Sequence, residues 1–218
     1  LDIVNPRVYR GFMKILQINT FDISSGGAEQ ISLKLHEYFL KQSHDPYLAV
    51  GYKKSSEESV IQIPNRLIKF QNFLDNLFLH HSYSEKDYIR KIFARVFYRR
   101  RDLIVEIIRR ILRPVIILND FKGYEDFCYE GIWNLEPEIL NRSGIIHMHN
   151  LHGRYFDLNA IQWLSTQYPV IITLHDLWTL TGHCAFPFEC EKWRYGCGQC
   201  PDLGIYPPLY HDGTHENW

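Results

Sequence analysis

The 218-residue chain has no run of 18 uncharged apolar residues, so no membrane-spanning helix is expected. Its first residues, Leu1-Asp2-Ile3-Val4-Asn5-Pro6-Arg7, lack the charged-then-apolar layout and small-residue cleavage site of a secretory leader. Secretion is therefore not expected, and the compartment is read as cytoplasmic and reducing. No charge sign is in excess: 24 Lys+Arg stand against 25 Asp+Glu, a formal net charge of −1. That balance excludes a surface given over to polyanions and excludes an acidic tail. With no recognised nucleic-acid motif either, nucleic acid is not expected as a partner. The chain also has no internal repeat, no low-complexity tract, no spaced three-glycine dinucleotide fingerprint and no Gly-Lys-Ser/Thr phosphate loop.

What is present suffices for a core. Hydrophobic residues make up 45 % of the chain and aromatics 15 %. A domain of this size buries roughly 70 % of the surface its unfolded chain exposes. The first methionine is Met13, directly before a strand-like segment, and the chain closes at Trp218 on no recognisable element. Residues 1–12 are accordingly read as an extension ahead of the fold proper. Residues 13–218 are read as one Rossmann-like domain cut short at its C-terminal side.

The alternation of patterns sets the fold class. Met13–Asn19 reads as a buried strand and Thr20–Gly27 as a turn cluster. A helix follows from Ala28, with Ile31, Leu35, Tyr38 and Phe39 at helical spacing, and Tyr47–Val50 is a second strand. Strand, glycine turn, helix, strand implies a parallel sheet. Ile61–Ile63 reads as a short strand and 66–78 as an aromatic helix. A long apolar stripe then runs to Pro114. Residues 86–113 carry ten basic and three acidic side chains, net +7. The segment is read first as a core-facing helix with a solvated basic back, and second as one that meets anionic headgroups or a phosphorylated substrate. Val115–Arg142 reads as a connector. Ile145–His149, Leu158–Thr166 and Val170–Leu174 then resume the strand, helix, strand order. The fold class is α/β, a parallel sheet flanked by helices.

Four places could carry chemistry. Gly26 and Gly27, in Ser25-Gly-Gly-Ala-Glu29, separate the first strand from the first helix; there the backbone can approach a ligand and free N–H groups can meet an anion. His147 and His149 alternate along one strand face, and His149 and Asn150 fall at its carboxyl end, where open α/β sheets meet ligands. His147 and His149 fit either a metal pair or hydrogen-bonded structural histidines. His175 and Asp176 close the Thr-Leu-His-Asp segment, where a histidine can contact a phosphate or sugar hydroxyl, act as a base, or cap the sheet. Finally, Cys184, Cys190, Cys197 and Cys200 are spaced C-x5-C-x6-C-x2-C within a Cys-rich loop, 182–201. In a reducing compartment such a cluster favours metal over disulfides. Structural Zn²⁺ stands ahead of an iron–sulfur cluster, and free thiols are the remaining alternative.

These residues together resemble the N-terminal half of a family-4 glycosyltransferase with the GT-B fold, of the type that builds colanic-acid or capsular exopolysaccharide in bacteria. The similar stretches are Met13–Tyr52 and most of Ile145–Trp218, including Thr-Gly-His-Cys, Gly-Cys-Gly-Gln-Cys-Pro and the closing Asp212-Gly-Thr-His-Glu-Asn-Trp218. The resemblance implies retaining transfer of a sugar from a nucleotide-diphospho-sugar to a lipid-linked or other oligosaccharide acceptor. It implies that Gly26 and Gly27 approach the donor diphosphate, with His149, Asn150 and Asp176 nearby, and that His175 sits beside the reacting sugar. No catalytic metal is expected. Donor binding falls mainly to a second domain, with its Glu-x7-Glu motif, that this chain lacks, so the chain alone is expected to be inactive. It would be cytoplasmic, or peripheral on the inner membrane. Two alternatives from other classes are a zinc-stabilised module that binds a membrane surface or a partner, and a metal-dependent hydrolase built on His147, His149, His175 and Asp176.

Overall fold

The computed structural model describes residues 11–23, 26–65, 69, 103, 107–108, 110–111, 114–125, 129–135, 137–142 and 144–218. The aromatic helix expected over 66–78 and the basic segment 86–113 lie, but for isolated residues, outside the described residues. So do residues 1–10 of the N-terminal extension, and Ser24 and Ser25 of the glycine turn. The described residues belong to two compact units. One comprises Leu1–Pro64 and Tyr129–Thr173, the other Asn65–Cys128 and Leu174–Trp218.

The first unit is a five-stranded, wholly parallel sheet, which bears out the α/β expectation. Its strands are β1 (Lys14–Phe21), β2 (Asp45–Tyr52), β3 (Val60–Gln62), β4 (Ile145–Met148) and β5 (Val170–Ile172), in spatial order β3-β2-β1-β4-β5. Helix α1 (Gly27–Lys41) joins β1 to β2 and packs against both. Two further helices lie at Pro137–Arg142, against β1, and Asn159–Gln167, between β4 and β5. β1 is buried along nearly its whole length, as befits the central strand of a parallel sheet covered on both faces. The core gathers Leu16, Ile18, Leu48, Val50, Ile146 and Met148, each 0 % exposed.

Several elements differ from the sequence reading. β1 runs two residues further than expected, because pairing with β2 continues through Phe21↔Tyr52. β5 stops at Ile172 and not Leu174, because the β4 ladder it pairs with ends at Met148↔Ile172. Ile31 and Tyr38 of α1, which the apolar spacing singled out, are exposed; the buried residues of that helix are Glu29, Ser32 and His36. The supposed connector 115–142 holds the helix Val115–Lys122, the 3-10 turn Ile132–Asn134 and the helix Pro137–Arg142.

The second unit is built differently. Leu174–Trp218 contains no strand; it has two 3-10 turns, Trp178–Leu180 and Lys192–Arg194, and a terminal helical turn, Thr214–Asn217. Its buried apolar side chains reduce to Ala185 and Pro187, whereas Thr181, His183 and Thr214 are buried polar groups. No helix among the described residues is long and apolar enough to cross a membrane.

Candidate functional site

The order β3-β2-β1-β4-β5 makes β1 and β4 the pair whose chain connections leave in opposite directions. The crevice beyond their carboxyl ends is where sheets of this kind receive ligands. Two sequence-predicted groups flank it: Gly26 and Gly27 after β1, and His149 and Asn150 after β4.

Gly26 is the N-cap of α1 in extended backbone, and its carbonyl accepts the first helical bond from Gln30 at 3.1 Å. A Cβ at Gly26 would come within 2.8 Å of the buried Glu29 carboxylate, so that carboxylate folds back over the cap. At Gly27 a Cβ would meet nothing within 4 Å. The Gly27 Cβ direction is therefore open, while the Glu29 carboxylate stands beside Gly26 at the helix end whose N–H groups and dipole favour an anion.

His149 is set by a buried polar chain that the sequence reading missed. Gln17 is fully buried on the central strand. Its Nε2 donates to the Ser32 carbonyl (3.1 Å) and faces His149 Nε2 (3.4 Å); its Oε1 lies 3.1 Å from His36 Nδ1. With Nε2 of Gln17 as the donor, its Oε1 accepts from His36 Nδ1–H and His149 accepts at Nε2. Burial holds the His36 imidazole below its ordinary value, against the opposing pull of Glu37 and Glu57. A neutral His36 accepts at Nε2 from the Ser59 hydroxyl, 3.0 Å away. Further along, the rings of His147 and His149 lie 4.2 Å apart, and His147 Nε2 is 2.8 Å from Thr173 Oγ1. Both imidazoles therefore have protein partners inside the sheet.

Asn150 is tied down at every polar atom given a contact. Its N–H donates to Asn19 Oδ1 (3.3 Å), its carbonyl accepts from the Tyr155 hydroxyl (2.6 Å) and lies 3.1 Å from Thr20 Oγ1, and its Oδ1 accepts from His152 N–H (3.2 Å). These bonds fix the turn after β4. Burial pushes the Tyr155 phenol well above its ordinary value, so it stays a donor. A second clamp joins the ends of β1 and β2: both oxygens of the buried Asp22 carboxylate accept backbone N–H groups, from Lys54 (2.8 Å) and Ser55 (2.7 Å). Burial works to raise the Asp22 carboxyl, but these hydrogen bonds outweigh it and leave the group below its ordinary value.

His175 and Asp176 fall in the second unit. His175 is half-buried, and Asp176 Oδ1 accepts the Trp178 N–H (2.9 Å), closing the turn that starts the 3-10 helix. The Trp178 indole N–H in turn donates to both oxygens of Glu125, at 3.0 and 3.1 Å. Burial pushes the Glu125 carboxyl up to about 7, against the lowering effect of that indole bond. Neither residue attracts notice in the sequence, since 53 positions separate them and no motif marks either.

The four cysteines of 184–200 are free thiols and line one cavity, with His183 in its wall. Burial raises the Cys184 and Cys200 thiols above their ordinary value, and neighbouring cysteines add to the effect. The thiols are not already drawn onto a common centre: among the described residues no group of three or more His, Cys, Asp or Glu side chains is arranged to hold a metal ion.

No family model matches the chain, and no solved structure matches it. The chain is similar to a protein of Escherichia coli strain K12 provisionally described as the colanic acid biosynthesis glycosyl transferase WcaC, with 27 % identity over 215 residues. That likeness takes in 94 % of this chain and 43 % of the relative, so the chain spans less than half the length of the glycosyl transferase it matches.

Proposed function

We propose that this chain is the acceptor-side part of a retaining, family-4 glycosyltransferase of the GT-B fold. It moves a sugar from a nucleotide-diphospho-sugar to an oligosaccharide acceptor, lipid-linked, in bacterial polysaccharide synthesis. The observation that carries the reading is the likeness to a glycosyl transferase along 94 % of the chain, which a shared turn or cysteine motif alone would not produce. The sheet order supports it, because Gly26, Gly27 and His149 flank the crevice at which a parallel sheet of this order takes its ligand. In this reading the first turn of α1 receives the donor diphosphate on its Gly27 side once the Glu29 carboxylate leaves the cap, and backbone N–H groups meet the charge without a metal. His149, held by Gln17, fixes the end of β4 at the rim of that crevice. A sugar contact is assigned to His175 within the second unit, and most of the nucleotide contact to the part of the relative that this chain does not match.

The test exploits the empty space over Gly27. Gly27→Asp puts a carboxylate where nothing stands within 4 Å and where helix N-termini accept acidic residues, so stability is expected to hold. In the full-length protein, assayed with a panel of labelled UDP- and GDP-sugars, the variant is expected to raise the donor KM at least tenfold. Retention is read from the anomeric configuration of the product. Absence of transfer from every donor refutes the transferase reading, and an unchanged donor KM in the variant refutes the role given to the glycine turn.

A further inference from the structure

The segment 174–218 poses a physical problem. It has no strand and buries only Ala185 and Pro187 as apolar groups, while Leu174, Phe186, Phe188, Tyr195, Tyr210 and Trp218 are exposed. Forty-five residues with so little fully buried apolar surface lean on other ties to offset the entropy of ordering them, among them the hydrogen bonds to residues 123–125 of the same unit. Segments of this kind are held by disulfides or metals. The cysteines here are not disulfide-bonded.

The backbone nevertheless brings the thiols to one place. Cys184, Cys190, Cys197 and Cys200 line a single cavity. The tight pair, Cys197-Gly198-Gln199-Cys200, turns through left-handed backbone at Gly198 (φ 134°) and at Gln199 (φ 47°), a residue type that rarely adopts it. That knuckle is fixed from outside. The Lys192 ammonium donates to the carbonyls of Gly198 and Gln199. The Asp212 carboxylate accepts the Cys200 N–H (2.7 Å) and, through its other oxygen, the Thr214 N–H (3.1 Å) and hydroxyl (2.6 Å). Inside, the Gly182 N–H points at Cys197 Sγ from 3.3 Å, the N–H-to-sulfur contact that supports a thiolate. His183, 2 % exposed, donates from Nδ1 to the Pro207 carbonyl (2.9 Å) and sets Nε2 at 3.3 Å from Cys200 Sγ.

From this arrangement we propose that Cys184, Cys190, Cys197 and Cys200 bind one zinc ion in a closed structural site that holds 174–218 together. The donor set fits: four thiolates complete a tetrahedron and leave no open position. Among the described residues no three such side chains are arranged around an ion, so binding requires the four thiols to turn into the cavity that they all line. The site is independent of the transferase reading, since a structural ion here neither requires nor supplies sugar transfer.

The test begins with the unaltered chain, purified under reducing conditions without added metal or chelator. Elemental analysis is expected to give one zinc per chain. Exchange with Co²⁺ is expected to give the thiolate charge-transfer and d–d bands of a four-sulfur tetrahedral site. Cys197→Ser combined with Cys200→Ser is expected to lower metal content at least tenfold, and chelation of the wild type gives the same loss if that variant does not fold. The proposal is overturned by four titratable thiols without metal, by iron with acid-labile sulfide, by disulfides in the mass spectrum, or by cobalt bands of three sulfurs and one imidazole.

Discussion

Glu125 makes a measurable claim about pH. Its carboxylate is largely enclosed, and the indole N–H of Trp178 donates to both its oxygens. Burial, acting against that single donor, lifts the carboxyl from its ordinary 4.5 to about 7. A rise of that size corresponds to a preference of about 3 kcal/mol for the neutral form. The sign follows from linkage. Below pH 4.5 the group is protonated whether the chain is folded or not, and it exerts no effect. Between 4.5 and about 7 the unfolded chain gives up this proton while the folded chain keeps it, so wild-type stability falls as pH rises. Above about 7 the full deficit is present. Glu125→Gln stays neutral throughout, and its amide oxygen still accepts the one Trp178 indole N–H, although the new amide NH2 brings donors that cost about 1 kcal/mol if unmet. Urea unfolding of both proteins from pH 5 to 8.5 isolates the effect, because the histidines cancel in the difference. The variant should gain about 2–3 kcal/mol on the wild type between pH 5 and pH 8.5. A difference that does not change with pH refutes the reasoning, because it would mean that this carboxyl titrates as in water.

Two more perturbations address the sheet. Asp22→Ala orphans the N–H groups of Lys54 and Ser55 and should cost about 2–3 kcal/mol at pH 7. Because the wild-type carboxyl lies below its ordinary value, its contribution is present above pH 3.8 and is lost as pH falls through the folded value. The cost should therefore shrink in acid denaturation profiles taken towards pH 3. Gln17→Leu exchanges a buried amide for an apolar group on the central strand, yet it should destabilise by about 2–3 kcal/mol, since the Ser32 carbonyl and His36 lose partners. A gain in thermal stability would show that the polar chain contributes nothing.

The strands and the two βαβ stretches could be read from the sequence because apolar period and turn residues agree there. The inner face of α1 could not. Periodicity weighs only apolar residues and picked Ile31 and Tyr38, whereas the helix turns Ser32 and His36 inward to meet a polar position, Gln17, on the strand before it. That match between two elements is invisible until they are packed. Gly123, Gly131 and Pro137 make 115–142 read as a connector, yet Gly123 in left-handed backbone is the C-cap of the helix Val115–Lys122 and Pro114 its N-cap, where a missing N–H costs nothing. Among site residues, the cysteine spacing announced a cluster that the fold does assemble around one cavity. Asn150 and Asp176 were singled out for ligand contact, and the structure employs both in closing turns. Glu125 and Asp22 depend on partners distant or unremarkable in sequence, and only tertiary placement reveals them.

The strand order also governs what a ribosome exposes. β1, β2 and β3 emerge early and in sequence, but β1 is the middle strand, and its second edge waits for β4 at Ile145–Met148. At about 5–20 residues per second, the roughly eighty residues between Gln62 and Ile145 take about 4–16 s to synthesise. Throughout that interval the nascent sheet shows an open edge bearing Ile15, Leu16 and Ile18, a template for pairing with any neighbouring chain. The buried amides Gln17 and Asn19 lie on that same strand. Each interrupts the apolar residues of β1, so the polar chain that holds His149 in the finished sheet also keeps the exposed strand from being apolar throughout.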